Sequence, residues 1–179
     1  VTIGKKDGSV TAPTAKTLAW TGSAQTLINA GSSSTGTIEY KLNDGTYSTN
    51  LPSATAVGTY TVYYKVLEST NYKAVAEKSI TVTIAKANNT LTLSAASATY
   101  TYPTSGTFTV TKNTSGGSLS CTSGNTAVAT CSVSGTTVTV TPGTTAGTAT
   151  LTIKSAATTN YKETTASHVV TTASGTLSV

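Results

Sequence analysis

Laid over itself, the chain matches at a constant offset: Gly58 to Lys73 reads GTYTVYYKVLESTNYK, Gly147 to Lys162 reads GTATLTIKSAATTNYK, and eight of these sixteen positions are identical. The offset of 89 residues sets the organisation before any propensity is weighed, because two related units of that size are each long enough to be a domain with its own core. A shorter match adds context. Val1-Thr2-Ile3-Gly4-Lys5 repeats Val82-Thr83-Ile84-Ala85-Lys86, which ends the first unit, so the opening residues read as the tail of a preceding unit and the chain as a piece of a longer array.

Within each copy the apolar period is two. Tyr60, Val62, Tyr64 and Val66 share one face of their run, and Thr59, Thr61, Tyr63 and Lys65 share the other. Ala149, Leu151 and Ile153 alternate in the same way with Thr148, Thr150, Thr152 and Lys154, and the pattern recurs at Ile80-Val82-Ile84, Leu91-Leu93, Phe108-Val110 and Val138-Val140. Half-buried strands with a wet, Thr-rich outer face follow. Asn43-Asp44-Gly45 and Ser134-Gly135 supply residues that tolerate positive φ between strands, and Ser115-Gly116-Gly117 marks a longer connection. Short strands and regular turns in units of this size predict antiparallel β-sandwiches.

Composition narrows the function. The 179 residues include 44 Thr and 22 Ser but only 9% charged residues, against roughly 25% in an ordinary domain. Such a chain builds sheets and has little with which to stabilise an exposed helix. The net charge of +5 comes from 11 lysines spread along the chain, with no arginine. Without a guanidinium there is no bidentate grip on phosphate or guanine, so nucleic acid is not read as a partner. No apolar run approaches the ~18 residues of a membrane helix, so no membrane insertion is read either. One His and six scattered acids supply neither a Ser/His/Asp constellation nor a paired-carboxylate site, and no loop holds two acids for calcium. The chain is therefore read as non-enzymatic, with no cofactor and no metal.

Thr14 to Ile84, with TLAWTGSAQTLINAG, the GTIEYKLNDGTYS hairpin and AVGTYTVYYKV, resembles the bacterial immunoglobulin-like repeats found in tandem in large surface proteins. Leu91 to Thr171, with SCTSGNTAVATCSVSGTTVTVTPGTTAGTATLTI, is similar to intimin-like bacterial Ig modules. The resemblance implies an extracellular stalk or interaction module of adhesin type. Related modules occur on phage virion proteins and beside secreted glycoside hydrolases. It also implies neighbouring Ig-like repeats as partners, with a host or cell-surface glycan or protein as a further one. On this reading residues 1–8 are the tail of a preceding repeat and linker, 9–86 and 87–175 are two Ig-like domains arranged end to end, and 176–179 is a C-terminal tail or the start of a next segment.

Six residues stand out against this background. Cys121 and Cys131 lie too far from His168 and too far from a CxxC spacing for a metal or redox site, which leaves a structural disulfide or two buried thiols; the oxidising place implied by the resemblance favours the bond. Tyr60, in Gly58-Thr59-Tyr60, resembles a tyrosine corner whose hydroxyl bonds nearby backbone. Tyr63 alone points outward in mid-strand, read as sheet-surface packing with a surface contact as its functional alternative. Tyr72 and Tyr161 recur in the shared Thr-Asn-Tyr-Lys and are expected to close a loop in both units. Lysine–asparagine isopeptide bonds, known in some bacterial surface Ig-like domains, would need a buried acid beside the pair, and solvated lysines are the simpler reading. Asn88-Asn89-Thr90 and Asn113-Thr114-Ser115 fit the glycosylation pattern, as chance triplets in so Thr-rich a chain.

The joint yields a test. Ala85 to Thr90 contain neither Gly nor a Ser run, and six residues extend about 20 Å, so strand-to-strand continuation is expected in place of a flexible coil. Small-angle scattering should give a single elongated particle; a compact or widely averaged envelope would overturn the end-to-end expectation.

Overall fold

The computed structural model describes residues 3–173, which are all-β, with no helix among them. Val1, Thr2 and the expected tail 176–179 lie outside the described residues. The chain divides into two compact units, Val1–Ala87 and Asn88–Val179.

Unit 1 is built on a four-stranded sheet in the order β2-β8-β7-β5. Its members are β2 (Leu18–Ala19), β5 (Ile38–Leu42), β7 (Gly58–Val66) and β8 (Val75–Ala85). The opposing layer is fragmentary: β1 (Thr14–Ala15) pairs β4 (Ile28–Asn29), and β3 (Gln25–Thr26) pairs β6 (Ser53–Ala54). Between the layers lie Leu27, Ile28, Tyr40, Val62, Tyr64, Val82 and Ile84, with Trp20 and Tyr60 packed at the margin. Tyr40 reaches across and its hydroxyl accepts from Gly31 N at 3.0 Å.

Unit 2 is a complete sandwich. One sheet runs β10 (Ser97–Thr101), β16 (Thr164–Ala173), β15 (Gly147–Ser155), β12 (Leu119–Ser123). The other runs β13 (Ala129–Ser134), β14 (Thr137–Pro142), β11 (Gly106–Asn113), β9 (Leu91–Leu93). In chain order this is the A-B-E-D and C-F-G connectivity of an immunoglobulin fold, with an extra second strand, β10, beside the last. That extra pair departs from the antiparallel expectation. β10 runs parallel to β16, and β2 parallel to β8, because the chain crosses between layers after its first strand and then meets the last. The core is aliphatic, with Val110, Val138, Val140, Leu151, Ile153 and Val170 around Phe108.

β7 and β15 span equivalent residues and bury the same alternating face. Asn43 and Gly135, read as turn residues, have φ of 49° and 58°. Two glycines hold both units closed. Gly36 and Gly117 sit beneath the carbonyl just past β7 and β15, so an added Cβ would overlap Leu67 O in one unit and Ala156 O in the other. The same stretch of backbone is hydrogen-bonded there, Leu67 N to Thr37 O and Ala156 N to Ser118 O, each 2.9 Å. Gly36→Ala and Gly117→Ala should therefore each destabilise their own unit by about 1–3 kcal/mol in urea unfolding, the cost of overpacking against backbone. Gly4→Ala, where a Cβ meets nothing, should cost almost nothing.

Candidate functional site: a repeated docking loop and a tyrosine–lysine sheet face

The shared Thr-Asn-Tyr-Lys forms the same turn in both units. Ser69 N donates to Tyr72 O and Thr158 N to Tyr161 O, each at 3.0 Å. In unit 1 this turn receives the incoming chain: Lys6 N donates to Asn71 O at 3.0 Å, Lys73 N donates to Lys6 O at 2.8 Å, and Lys6 and Tyr72 form a parallel bridge. The last residue of the motif then reaches the next position of the incoming segment. Lys73 Nζ meets Asp7 Oδ1 at 3.0 Å, and in unit 2 Lys162 Nζ meets Asn88 Oδ1 at 3.1 Å. With Lys73 63% and Asp7 88% exposed, that ion pair is solvent-screened and contributes at most about 1 kcal/mol. In unit 1 the backbone pairing, not the charge, holds the segment. Neither lysine has a buried acid beside it: Glu68 pairs with Lys5, and the exposed Glu163 pairs with Lys154 at 2.6 Å.

Behind the loop each unit is plugged differently. In unit 1 buried Thr35 accepts from Ser9 N at 2.9 Å, its carbonyl accepts from Ser69 Oγ at 2.7 Å, and Val66 fills the apolar space. In unit 2 the place of Val66 is taken by buried Ser155, whose hydroxyl donates to Asn113 Oδ1 at 2.9 Å and accepts from Asn89 Nδ2 at 3.0 Å. Ser115 N closes the network on Asn89 Oδ1 at 3.0 Å. The amide of Asn113, in one of the glycosylation-like triplets, is engaged with Gly117 O at 2.8 Å.

Tyr63 lies on the outer face of the unit 1 sheet and has company there. The register sets Lys41 opposite Tyr63 and Glu39 opposite Lys65. Lys41 Nζ sits 4.6 Å from the Tyr63 ring centre and 5.0 Å from that of Tyr47, and Lys65 Nζ sits 3.9 Å over Tyr47. Each ammonium also meets a carboxylate, Lys41 with Glu77 at 3.0 Å and Lys65 with Glu39 at 3.5 Å. The Tyr47 hydroxyl donates to Glu77. Partial burial, and then the hydrogen bond and charge of Glu77, push the Tyr47 phenol well above the ordinary tyrosine range; the Tyr47 hydroxyl and Lys41 hold Glu77 below the ordinary carboxylate range. The contacts of the lysines with the rings are worth about 0.5–1 kcal/mol each at exposed sites. Their chemical consequence is occlusion, since lysines occupy the ring faces that a sugar would stack on. Alternation alone showed Tyr63 but not this cluster, because Tyr47 comes from a turn and Glu77 from a distant strand.

Cys121 and Cys131 are bonded, with Cα atoms 6.0 Å apart, and tie edge strand β12 of one sheet to edge strand β13 of the other. Tyr60 donates its hydroxyl to Ala56 O, four residues upstream, at 2.7 Å. His168 is fully buried, stacked on Phe108 with ring centres 4.0 Å apart, and its Nδ1 lies 2.8 Å from Ala95 O. By strand pairing His168 stands opposite Leu151 as Ile80 stands opposite Val62, a core position in both units. Among the described residues no three His, Cys, Asp or Glu side chains gather to hold a metal. The depression of about 400 Å³ beside Lys112, Gly116 and Gly135 is shallow and brings no acid or histidine together.

No family model matches the chain, and no curated protein does. Among solved structures it is similar to the S-layer protein rSbsC, with 26% identity over 85% of this chain and 23% of that one, TM-score 0.41. It is also similar to domains 4 and 5 of SbsC, with 28% identity over 75% and 77% of the two chains, TM-score 0.37. The titin domains z1z2 in complex with telethonin share 11% identity over 97% and 100%, TM-score 0.45. The chain thus spans about a quarter of the rSbsC structure. All three scores lie below 0.5, and the fold assignment stands on the strand topology.

The cluster predicts an alkaline titration. A raised phenol keeps its proton in the folded state, so the stabilisation from Tyr47 is full below the ordinary tyrosine value of about 10 and is lost as pH rises above it. Phenolate absorbance across the ordinary range should have the same amplitude in Tyr47→Phe as in the unchanged protein. A drop in Tyr47→Phe would mean that Tyr47 ionises normally.

Proposed function

We propose that the chain is a non-catalytic structural pair of Ig-like repeats from a longer extracellular surface protein of adhesin type, serving to space and present what lies beyond it. The observation that carries this reading is the repeated docking loop: the same four residues, in the same turn, hold the incoming segment at the same position of both units, directly at Lys6–Tyr72 and Lys73–Asp7 and again at Lys162–Asn88. A motif spent on chain continuity is what serial addition of repeats requires, and neighbouring repeats are its partners. The disulfide supports an oxidising compartment. A virion surface, or a place beside a secreted glycoside hydrolase, would use the same module.

A second reading, a glycan- or receptor-binding face at Tyr47 and Tyr63, is favoured by two aromatic rings on one exposed sheet face and opposed by the lysines that cover them. A glycan array and a cell-binding assay on the 179-residue chain decide between the two. Silence in both is expected. A ligand whose binding disappears in Tyr63→Ala and in Tyr47→Ala would replace the spacer reading with the binding one.

A further inference from the structure

The second and last strands of each unit are neighbours and run parallel, β2 beside β8 and β10 beside β16. When the chain is pulled by its ends, the second strand is drawn towards its N-terminus, once the first has yielded, and the last towards its C-terminus. The hydrogen bonds between them are then loaded along the strand direction and must break together, because neither end of the ladder can open ahead of the other. Resistance grows with the number of residues in that ladder, since forced unfolding is governed by the barrier to opening and not by the equilibrium stability.

By this criterion the units are unequal. In unit 1 the ladder is two residues long, Leu18 opposite Ile84 and Ala19 opposite Ala85, with Trp20 N to Ala85 O at 2.9 Å beyond it. In unit 2 it is five residues long, from Ser97 opposite Val169 to Thr101 opposite Ala173, with Val169 N to Ala96 O at 2.8 Å before it. The segments that must yield on the way to each ladder are short pairings in both units, the bridges Lys6–Tyr72 and Thr11–Ser32 and the two-residue β1–β4 pair in unit 1, three paired residues between β9 and β11 and the bond Ser94 N to Thr109 O at 2.8 Å in unit 2, so the order is set by the ladders. We propose that the two units form an ordered mechanical pair, in which unit 1 opens first under tension and acts as the compliant element while unit 2 holds.

The disulfide makes the order readable. Cys121 and Cys131 join β12 and β13, off the line between β10 and β16, so the bond does not carry the load of the ladder. It does withhold the ten-residue step between the cysteines from extension. Reduction should release about 3 nm of extra chain when unit 2 opens, and none when unit 1 does. The inference rests on the spacer reading only for the source of the load. A glycan or cell-binding result that overturned that reading would leave the force order intact and measurable.

The experiment is constant-velocity stretching of the single full chain held at its two ends, with and without dithiothreitol. Two unfolding events are expected. The lower-force event should keep its contour-length increment in reductant, and the higher-force event should lengthen by about 3 nm. Lengthening of the lower-force event, or two events of equal force, overturns the proposal. Ala98→Pro, which removes a donor from the middle of β10, should lower the higher force alone; an unchanged force would show that the β10–β16 ladder is not what resists. The wild-type comparison decides the order whether or not that variant folds.

Discussion

Everything in either unit hangs on one nine-residue strand, β7 or β15, that is paired on both sides and buried on one face. Its period of two sets the register of the whole four-stranded sheet, because a slip of one residue would put Val62, Tyr64 and Val66 into water and Thr61, Tyr63 and Lys65 into the core. Both neighbours enforce that register, β8 from Gly58 opposite Ile84 onward and β5 from Ile38 opposite Val66. The end of the strand matters as much. Immediately past it lie the carbonyl that Gly36 or Gly117 must approach and the turn that carries Thr-Asn-Tyr-Lys, so the strand that organises the core also places the docking loop.

On this common frame the two units solve the same packing problem with different materials. Unit 1 has only fragments of a second layer and compensates with large aromatic side chains: Tyr40 and Tyr64 buried, Trp20 and Tyr60 against them, and the Tyr60 hydroxyl tied to Ala56 O. One neutral hydrogen bond of that kind contributes about 1 kcal/mol net. Unit 2 has Ala149 where unit 1 has Tyr60, and between its two full sheets aliphatic residues predominate around the stacked pair Phe108 and His168. Its edges are secured covalently instead. Closing a loop of about 11 residues is worth roughly 2.7 kcal/mol in the chain-entropy model, a large share of what so small a domain has in total.

The parts legible in the sequence were those written in local spacing. Alternation gave the inward faces of β7, β15 and the strands around them, and Asn43 and Gly135 marked turns because few residues tolerate their φ. The repeated Thr-Asn-Tyr-Lys announced a shared loop but not its guest, since Lys6 and Asp7 are more than sixty residues away in sequence. The parallel pairing of second and last strands was missed for the same reason, as nothing in β2 or β10 specifies the direction of its neighbour. The Tyr47 cluster is the clearest case. It joins a turn residue to side chains from three strands, and only the register brings Glu77 to Lys41 and Lys65 to Glu39. Buried Ser155 and His168 were also beyond reach, because each stands where the sister unit has an aliphatic residue, Val66 and Ile80.

The outer faces explain the composition. On the sheet β10-β16-β15-β12 the outward positions fall into rows across the strands, Thr99–Thr171–Thr148 and Ser167–Thr152–Thr122, with Val169 the apolar exception. In unit 1 Thr59 and Thr83 stand opposite each other with their hydroxyls 3.2 Å apart. Threonine meets three demands of such a position at once: its branched Cβ favours the strand, its methyl covers the neighbouring side chain, and its hydroxyl keeps the face wet. A lysine or glutamate would meet the last demand at a cost in side-chain entropy and with a dependence on salt and pH. A surface of hydroxyls therefore leaves both units largely indifferent to ionic conditions, with charge concentrated at the Tyr47 cluster and around the docking loop.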